Sequence, residues 1–197
     1  TLFQINGPRG LANWADYCAD MTGTELYKHL SDKSLAVTSN GKAYGIPYVV
    51  EGYGIIYNKA LTDKYFALSS KATAYTSMDQ INSFAKLKEI ADDMQKNAAA
   101  LGIDGVFACT SLKAGEDWRW QTHLANVPVY YEFKNNSVDL GSDATKKIKF
   151  QYGNEFKNII DLYLNDSTVP AKTVGTKTVT DSMAEFALEK CVMVQNG

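Results

Sequence analysis

SMDQINSFAKLKEIADDMQKNAAALGIDGVFAC, residues 77–109, is the stretch that decides the fold class. Ser77 followed three residues later by Gln80 is the signature of a capping box, in which the two side chains satisfy the free amides of a helix start. Beyond it Ile81, Phe84, Leu87, Ile90, Ala91, Met94, Ala98 and Leu101 recur at intervals dominated by three and four. That spacing predicts an amphipathic helix over 78–101, stopped by Gly102. Val106-Phe107-Ala108-Cys109 then reads as a short buried strand. A long helix delivered directly into a buried strand is the signature of an α/β fold.

Working outward toward the C-terminus, helices are predicted over 117–127 (Trp118, Trp120, Leu124), 144–165 (Ile148, Tyr152, Phe156, Ile159, Ile160, Tyr163) and 180–190, the last starting at Thr180 or Asp181. A closing strand at Val192-Met193-Val194 follows, with Asn196-Gly197 as a turn signal. In the other direction, Ile46-Pro47-Tyr48-Val49-Val50-Glu51-Gly52-Tyr53-Gly54-Ile55-Ile56-Tyr57 is the most β-like run in the chain. Pro47 bars it from the centre of a paired sheet, and Gly52 and Gly54 weaken it, so it suits a crossing between two lobes. A short helix over 59–66 follows. Asn40-Gly41, between two short apolar pieces within 34–45, predicts a hairpin with a type I′ turn. A helix is predicted over 11–21, and Leu2-Phe3-Gln4-Ile5 reads as a strand running into the loop Asn6-Gly7-Pro8. Both ends thus read as sheet elements that need neighbours, which predicts an internal piece of a longer protein.

Composition narrows the function classes. The chain has 197 residues, 45% hydrophobic and 21% charged, with a net charge of −2. That size buries enough surface to fold without staples. Only Arg9 and Arg119 are arginines, which argues against a nucleic-acid surface. No apolar run approaches a membrane span. Cys18, Cys109 and Cys191 are odd in number and widely spaced, which predicts free thiols rather than a disulfide framework or a zinc site. Dinucleotide, phosphate-loop, nucleophile-elbow and zinc-protease motifs are all absent, so no cofactor and no metal are expected. His29 and His123 read as isolated, hydrogen-bonded residues.

Aromatic content stands out: 12 Tyr, 8 Phe and 3 Trp. The densest constellation is Gly115-Glu116-Asp117-Trp118-Arg119-Trp120-Gln121. Sugars require such a mixture, because their C–H faces stack on indoles while carboxylates, amides and guanidinium take the hydroxyls. The same residues also fit a plain helix start, with Asp117 beside the macrodipole and the indoles in the core. Trp118 and Trp120 lie about 200° apart around a helix, so one faces a cleft and the other the core; Trp118, beside Glu116, is expected at the cleft. Glu51, a carboxylate inside an apolar run, sits either on a solvated edge or facing a cleft. Asn6-Gly7-Pro8-Arg9 occupies a strand-to-loop junction, the place where α/β folds collect ligands, and Asn196 repeats that geometry.

Taken in order, these clusters resemble the family 1 extracellular solute-binding proteins of bacterial ABC importers, and among them the carbohydrate-binding group similar to maltodextrin-binding protein. Phe3-Gln4-Ile5-Asn6-Gly7, Asn40-Gly41-Lys42-Ala43-Tyr44-Gly45-Ile46-Pro47, Gly54-Ile55-Ile56-Tyr57-Asn58-Lys59 and the stretch from Ala184 to Gly197 carry the likeness. The chain departs from the family pattern at Cys191, where a small residue is usual, and it stops before the Trp that commonly follows Asn-Gly.

The resemblance implies an α/β, periplasmic-binding-protein-like two-lobe fold of type II, incomplete at both ends. Residues 1–46 would be the later part of the first lobe, 47–53 a hinge crossing and 54–197 most of the second lobe. It implies non-enzymatic capture of a sugar or oligosaccharide and its delivery to ABC permease subunits. It also implies an extracytoplasmic location, in the periplasm or as a cell-surface lipoprotein whose membrane attachment is only a lipid anchor upstream. Carried over residue by residue, Asn6, Arg9, Glu51, Glu116 and Trp118 match ligand-binding positions; Asp117, Trp120 and Asn196, from the residue chemistry above, complete the expected ligand-binding set. Two rival readings are a glycoside hydrolase using Glu51 and Glu116, which requires the carboxyl groups roughly 5–9.5 Å apart, and a binding protein for a non-sugar solute.

Overall fold

The computed structural model describes residues 1–139 and 142–197. The chain divides into two compact units, Thr1–Gly52 and Tyr53–Gly197.

In the first unit, α1 (Gly7–Trp14) runs into a 3₁₀ turn (Ala15–Tyr17), and a short α2 (Glu25–Lys28) follows. Pro8 sits in the first turn of α1, where its missing amide costs nothing. The helix thus begins earlier and ends earlier than the 11–21 read from apolar spacing, and Leu2–Ile5 is not a strand. The hairpin forms as its turn chemistry dictates. β1 (Val37–Ser39) pairs antiparallel with β2 (Lys42–Gly45). Asn40 and Gly41 both take positive φ, 50° and 74°, as a type I′ turn demands. Met21 N donates to Ala43 O at 2.7 Å, tying the loop after α1 to the hairpin.

The second unit is built on a three-stranded sheet of order β3-β5-β4, with β3 Gly54–Tyr57, β4 Gly105–Phe107 and β5 Cys191–Asn196. β5 is central. It runs antiparallel to β3, with Gly54 opposite Asn196 and Tyr57 opposite Met193, and parallel to β4, with Phe107 opposite Met193. The sheet is therefore mixed and small. The β-like run at 46–57 contributes only its last four residues, consistent with Pro47 and Gly52 in its first part.

α3 (Lys59–Phe66) starts where Asn58 Oδ1 accepts from Leu61 N. The helix read over 78–101 is three pieces. The Ser77–Gln80 capping box forms, but it caps a 3₁₀ turn (Met78–Gln80). Ile81 then leaves helical geometry, and a second serine, Ser83, caps α4 (Phe84–Lys96). α5 (Ala98–Leu101) ends at Gly102, whose φ is +79°. Residues 118–135 are continuously helical: α6 (Trp118–Trp120), a π turn (Gln121–Ala125) and α7 (Asn126–Asn135). Pro128 has no amide to give the Leu124 carbonyl, and the wider turn lies directly before it. Of the helix read over 144–165, only α8 (Gly153–Asn165) forms, preceded by a 3₁₀ turn at Asp143–Lys146. α9 (Val179–Ala187) carries its own capping box, Thr178 with Asp181.

The main core gathers Tyr65, Ile90, Met94, Val106, Phe107, Leu162 and Val192, all buried, with Trp120 packed against it. Its buried polar groups are mostly answered. Tyr65 Oη donates to Asp93 Oδ2 at 2.6 Å, and Ala72 N donates to the same oxygen at 3.0 Å. A further length of chain passes beside β4: Phe107 N donates to Asp166 O and Thr168 N to Phe107 O. The approach is so close that a Cβ on Gly105 would lie 2.4 Å from the Ser167 carbonyl. Gly105→Ala is expected to destabilise the protein by about 1–3 kcal/mol, since backbone rather than a flexible side chain must move; urea unfolding measures it.

Asp166 is buried, and its Oδ2 has no partner. Burial, reinforced by the Asp92 carboxylate, pushes it up to about 6 against the opposing pull of Lys88, which bonds both Asp92 oxygens. The folded state thus holds a proton that an unfolded chain releases near 3.8. Stability falls as pH rises from about 4 to about 6. Asp166→Asn should remove that slope and stabilise the protein at pH 7 by about 1–3 kcal/mol, read from chemical melts across pH.

Candidate functional site

In the second unit the C-terminal ends of β4 and β5 point the same way, toward the start of α9 and the helical run from Trp118. An aromatic cluster stands there. The His123 ring stacks on Tyr53, centroids 4.0 Å apart and planes within 10°. Trp118 meets His123 edge-on at 5.7 Å. The Arg119 guanidinium lies over the Trp118 ring, 4.2 Å from its centroid. Gln195 Nε2, at the end of β5, sits 3.5 Å from His123 Nδ1. Burial, with the Arg119 cation nearby, holds the His123 pKa below the ordinary histidine value, so the imidazole is neutral at neutral pH. Trp118 is 47% exposed and Tyr53 50% exposed. Two half-exposed rings therefore lie beside a guanidinium and an amide, a combination suited to a polar solute with apolar faces.

Local sequence explains the placement. The π turn carries His123 and brings it to Gln195. Trp118 and Trp120 diverge around the helix as their spacing requires: Trp118 faces out, while Trp120 packs edge-on against Tyr163 at 5.5 Å.

Glu116 does something different from what the sequence suggests. Its Oε2 accepts from Val179 N at 2.7 Å, capping α9 across 63 residues of chain. Asp117 accepts from Gln121 Nε2, a bond along its own helix. Asn196 lies at the end of β5, where its amide nitrogen points at the Met183 sulfur, 3.2 Å away. Asn6, Arg9 and Glu51 belong to the first unit and are exposed; Asn6 stands at the N-terminus of α1 without a side-chain capping bond.

Beneath the cluster is a cavity of about 30 Å³, whose lining includes Thr110, Arg119, Trp120, Tyr163, Ser182 and Gln195. A larger groove of about 410 Å³ runs between α4, α7 and α8, lined mainly by Phe84, Val127, Pro128, Tyr131 and Ile159. None of the unpartnered buried polar atoms among the described residues belongs to its lining. Tyr53, His123, Arg119 and Gln195 were not in the site read from sequence. Arg119 belongs to the constellation 115–121 singled out by its residue types, whereas the π turn and the far end of β5 leave no local mark in the sequence.

Among the described residues no group of three or more His, Cys, Asp and Glu side chains could hold a metal ion. The three cysteines are free; Cys109 and Cys191 are buried and Cys18 half-buried. No helix among those residues is long and apolar enough to cross a membrane. No curated protein matches the chain, and no solved structure does. The family model described as bacterial extracellular solute-binding protein matches residues 1–197. That membership implies a periplasmic-binding-protein-like fold, with which the mixed helix and sheet agrees, and work outside the cytoplasm. Matched along its whole length, the chain belongs to the bacterial extracellular solute-binding proteins.

Proposed function

We propose that the solute is a saccharide, bound without chemical change and handed to the permease of an ABC importer. Residues 1–46 and 54–197 belong in this reading to two lobes, with 47–53 as the hinge crossing between them. The observation that carries it is the half-exposed Trp118 ring with Arg119 laid on it and Tyr53, His123 and Gln195 alongside. An amino acid or polyamine would call for a clamp of opposite charges. Here the groups at hand are half-exposed rings, an amide and one guanidinium. In this reading Asp117, Trp120 and Asn196 support the site, and Asn6, Arg9 and Glu51 also contribute to binding the solute. Attachment to the membrane would be by a lipid anchor alone.

The hydrolase alternative asks Glu116 to act as acid, base or nucleophile. Glu116 already serves α9, its Oε2 committed to the Val179 amide 63 residues away. Incubation with malto-, xylo- and fructo-oligosaccharides should therefore leave them uncleaved while one of them raises the melting temperature. Cleavage would overturn the binding reading.

Three substitutions separate the roles. Trp118→Ala should weaken saccharide binding by about 1–2 kcal/mol with little change in Tm, because the lost ring is half-exposed and lies outside the core. Glu51→Gln should weaken it by about 1.5–3 kcal/mol, as for a charge-assisted hydrogen bond. Glu116→Ala should instead cost about 1 kcal/mol of stability, the worth of a helix cap. Calorimetric titrations paired with thermal melts read both axes.

A further inference from the structure

Residues 146–151, Lys146-Lys147-Ile148-Lys149-Phe150-Gln151, are exposed without interruption. They hold three lysines and no acid, in a chain whose net charge is −2. Two apolar side chains stand in the open there, Ile148 at 42% and Phe150 at 61% exposure. Phe150 has a φ of +52° and is the only aromatic residue with a left-handed backbone among the described residues. A bulky residue in that region is strained, and it persists only where the surroundings impose it.

The surroundings do impose it. Glu132 on α7 is only 3% exposed, and its carboxylate accepts from Lys149 N at 2.6 Å and, on the other oxygen, from Gln151 N at 2.8 Å. The amides on both sides of Phe150 are thereby drawn to one buried charge, and the residue between them is left at the surface. These two amides, and more weakly the Lys149 cation, hold the Glu132 carboxyl below its ordinary value, so the clamp stays ionised at neutral pH. Asn136 Nδ2 bonds the Gln151 side chain, and Asn135 Nδ2 bonds Tyr152 Oη. The loop is thus fixed from beneath while its apolar tips point away from the core: Phe150 meets Phe156 edge-on at 6.5 Å, and neither ring belongs to the core.

We propose that this loop is a contact surface for an anionic lipid bilayer, with Ile148 and Phe150 entering the interface and the lysines meeting the headgroup charges. It lies apart from the aromatic cluster and does not depend on the saccharide reading. Charge supports it. Lys147, Lys149 and, on α7, Lys134 make no ion pair among the described residues; Lys134 lies over the Tyr130 and Tyr131 rings, and Lys146 pairs with Asp143. The residue types favour lipid over protein. Protein interfaces are enriched in Arg and depleted of Lys, and every cation here is Lys. Lysine stems cover apolar surface while their ammonium groups reach anionic headgroups, and apolar side chains set among lysines are the pattern of surfaces that lie on membranes. Apolar surface also continues beside the loop, since Asn135 and Tyr152, which tether its end, line the groove between α4, α7 and α8. Such a contact orients the protein on the bilayer and is too weak to attach it, for even one fatty chain holds a protein only marginally.

The test floats the full chain, carrying no lipid, with vesicles of phosphatidylglycerol and phosphatidylcholine in equal parts, and with phosphatidylcholine alone. Partition onto the anionic vesicles should be stronger by about tenfold or more, and raised salt should remove most of that gain. The double substitution Lys147→Gln and Lys149→Gln, on exposed side chains, should shrink the preference several-fold. Phe150→Gly should also lower partition several-fold while the melting temperature holds or rises, because glycine accepts the left-handed backbone. Equal partition onto both vesicles, partition onto neither, or partition unmoved by both variants overturns the proposal. A fall in melting temperature on Phe150→Gly with partition unchanged marks Phe150 as a packing residue and overturns it too. Absence from vesicles together with salt-sensitive retention on immobilised polyglutamate overturns it in favour of an acidic protein partner.

Discussion

β5 is hydrogen-bonded along both edges, antiparallel to β3 on one side and parallel to β4 on the other, and the second unit depends on that double pairing. Cys191 to Val194 are buried without interruption, as expected of a strand covered on both faces. With its edges and faces all committed, β5 has no freedom to slide. A one-residue slip would reverse the facing of every side chain. Its last two residues therefore emerge at a fixed point, and Gln195 arrives beside His123. The close passage of residues 166–168 along β4 locks the sheet from the outer side and accounts for Gly105, the position with no room for a side chain.

The aromatic cluster takes its precision from a defect in a helix. A regular α-helix through 118–135 would bring the Pro128 ring against the carbonyl of Leu124. One π turn relieves that conflict and shifts the preceding residues by an extra position. His123 then lies between Tyr53 and Trp118 instead of rotating toward solvent. Kept neutral by burial and by Arg119, it adds a flat polarizable ring to the surface and no competing charge.

Much of this was legible and some was not, for identifiable reasons. Local chemistry read well: Asn40-Gly41 made its type I′ turn, Asn58 began α3, and Gly102 ended α5 in a left-handed conformation. Apolar spacing identified the helix face on α4, with Ile90, Ala91 and Met94 buried as their spacing required. The errors came where two local signals competed. Ser77–Gln80 and Ser83 are both start signals, and the spacing of apolar residues does not register the break at Ile81 between them. Strand direction was not legible either, because parallel and antiparallel pairing by β5 differ only in long-range contacts. Glu116 shows the same limit at the site. Its residue type fits a sugar contact, yet its partner is an amide 63 residues away, which no neighbouring residue announces.

The buried polar groups of the second unit show how structure and site differ. Asp93 gathers the Tyr65 hydroxyl and the Ala72 amide, with Thr73 Oγ1 2.7 Å from the same hydroxyl, and the group stitches α3 to α4. Glu185 takes the Cys109 amide and the Thr168 hydroxyl on one oxygen. Each of these is a closed account: every polar atom taken from water is given a bond, as a stable interior demands. Three side-chain atoms among the described residues depart from that rule: Thr110 Oγ1, Tyr163 Oη and Asp166 Oδ2 are buried without a partner. For Asp166 the cost of burial is met by a proton: burial pushes its carboxyl up to about 6, so the neutral acid is the form the interior favours.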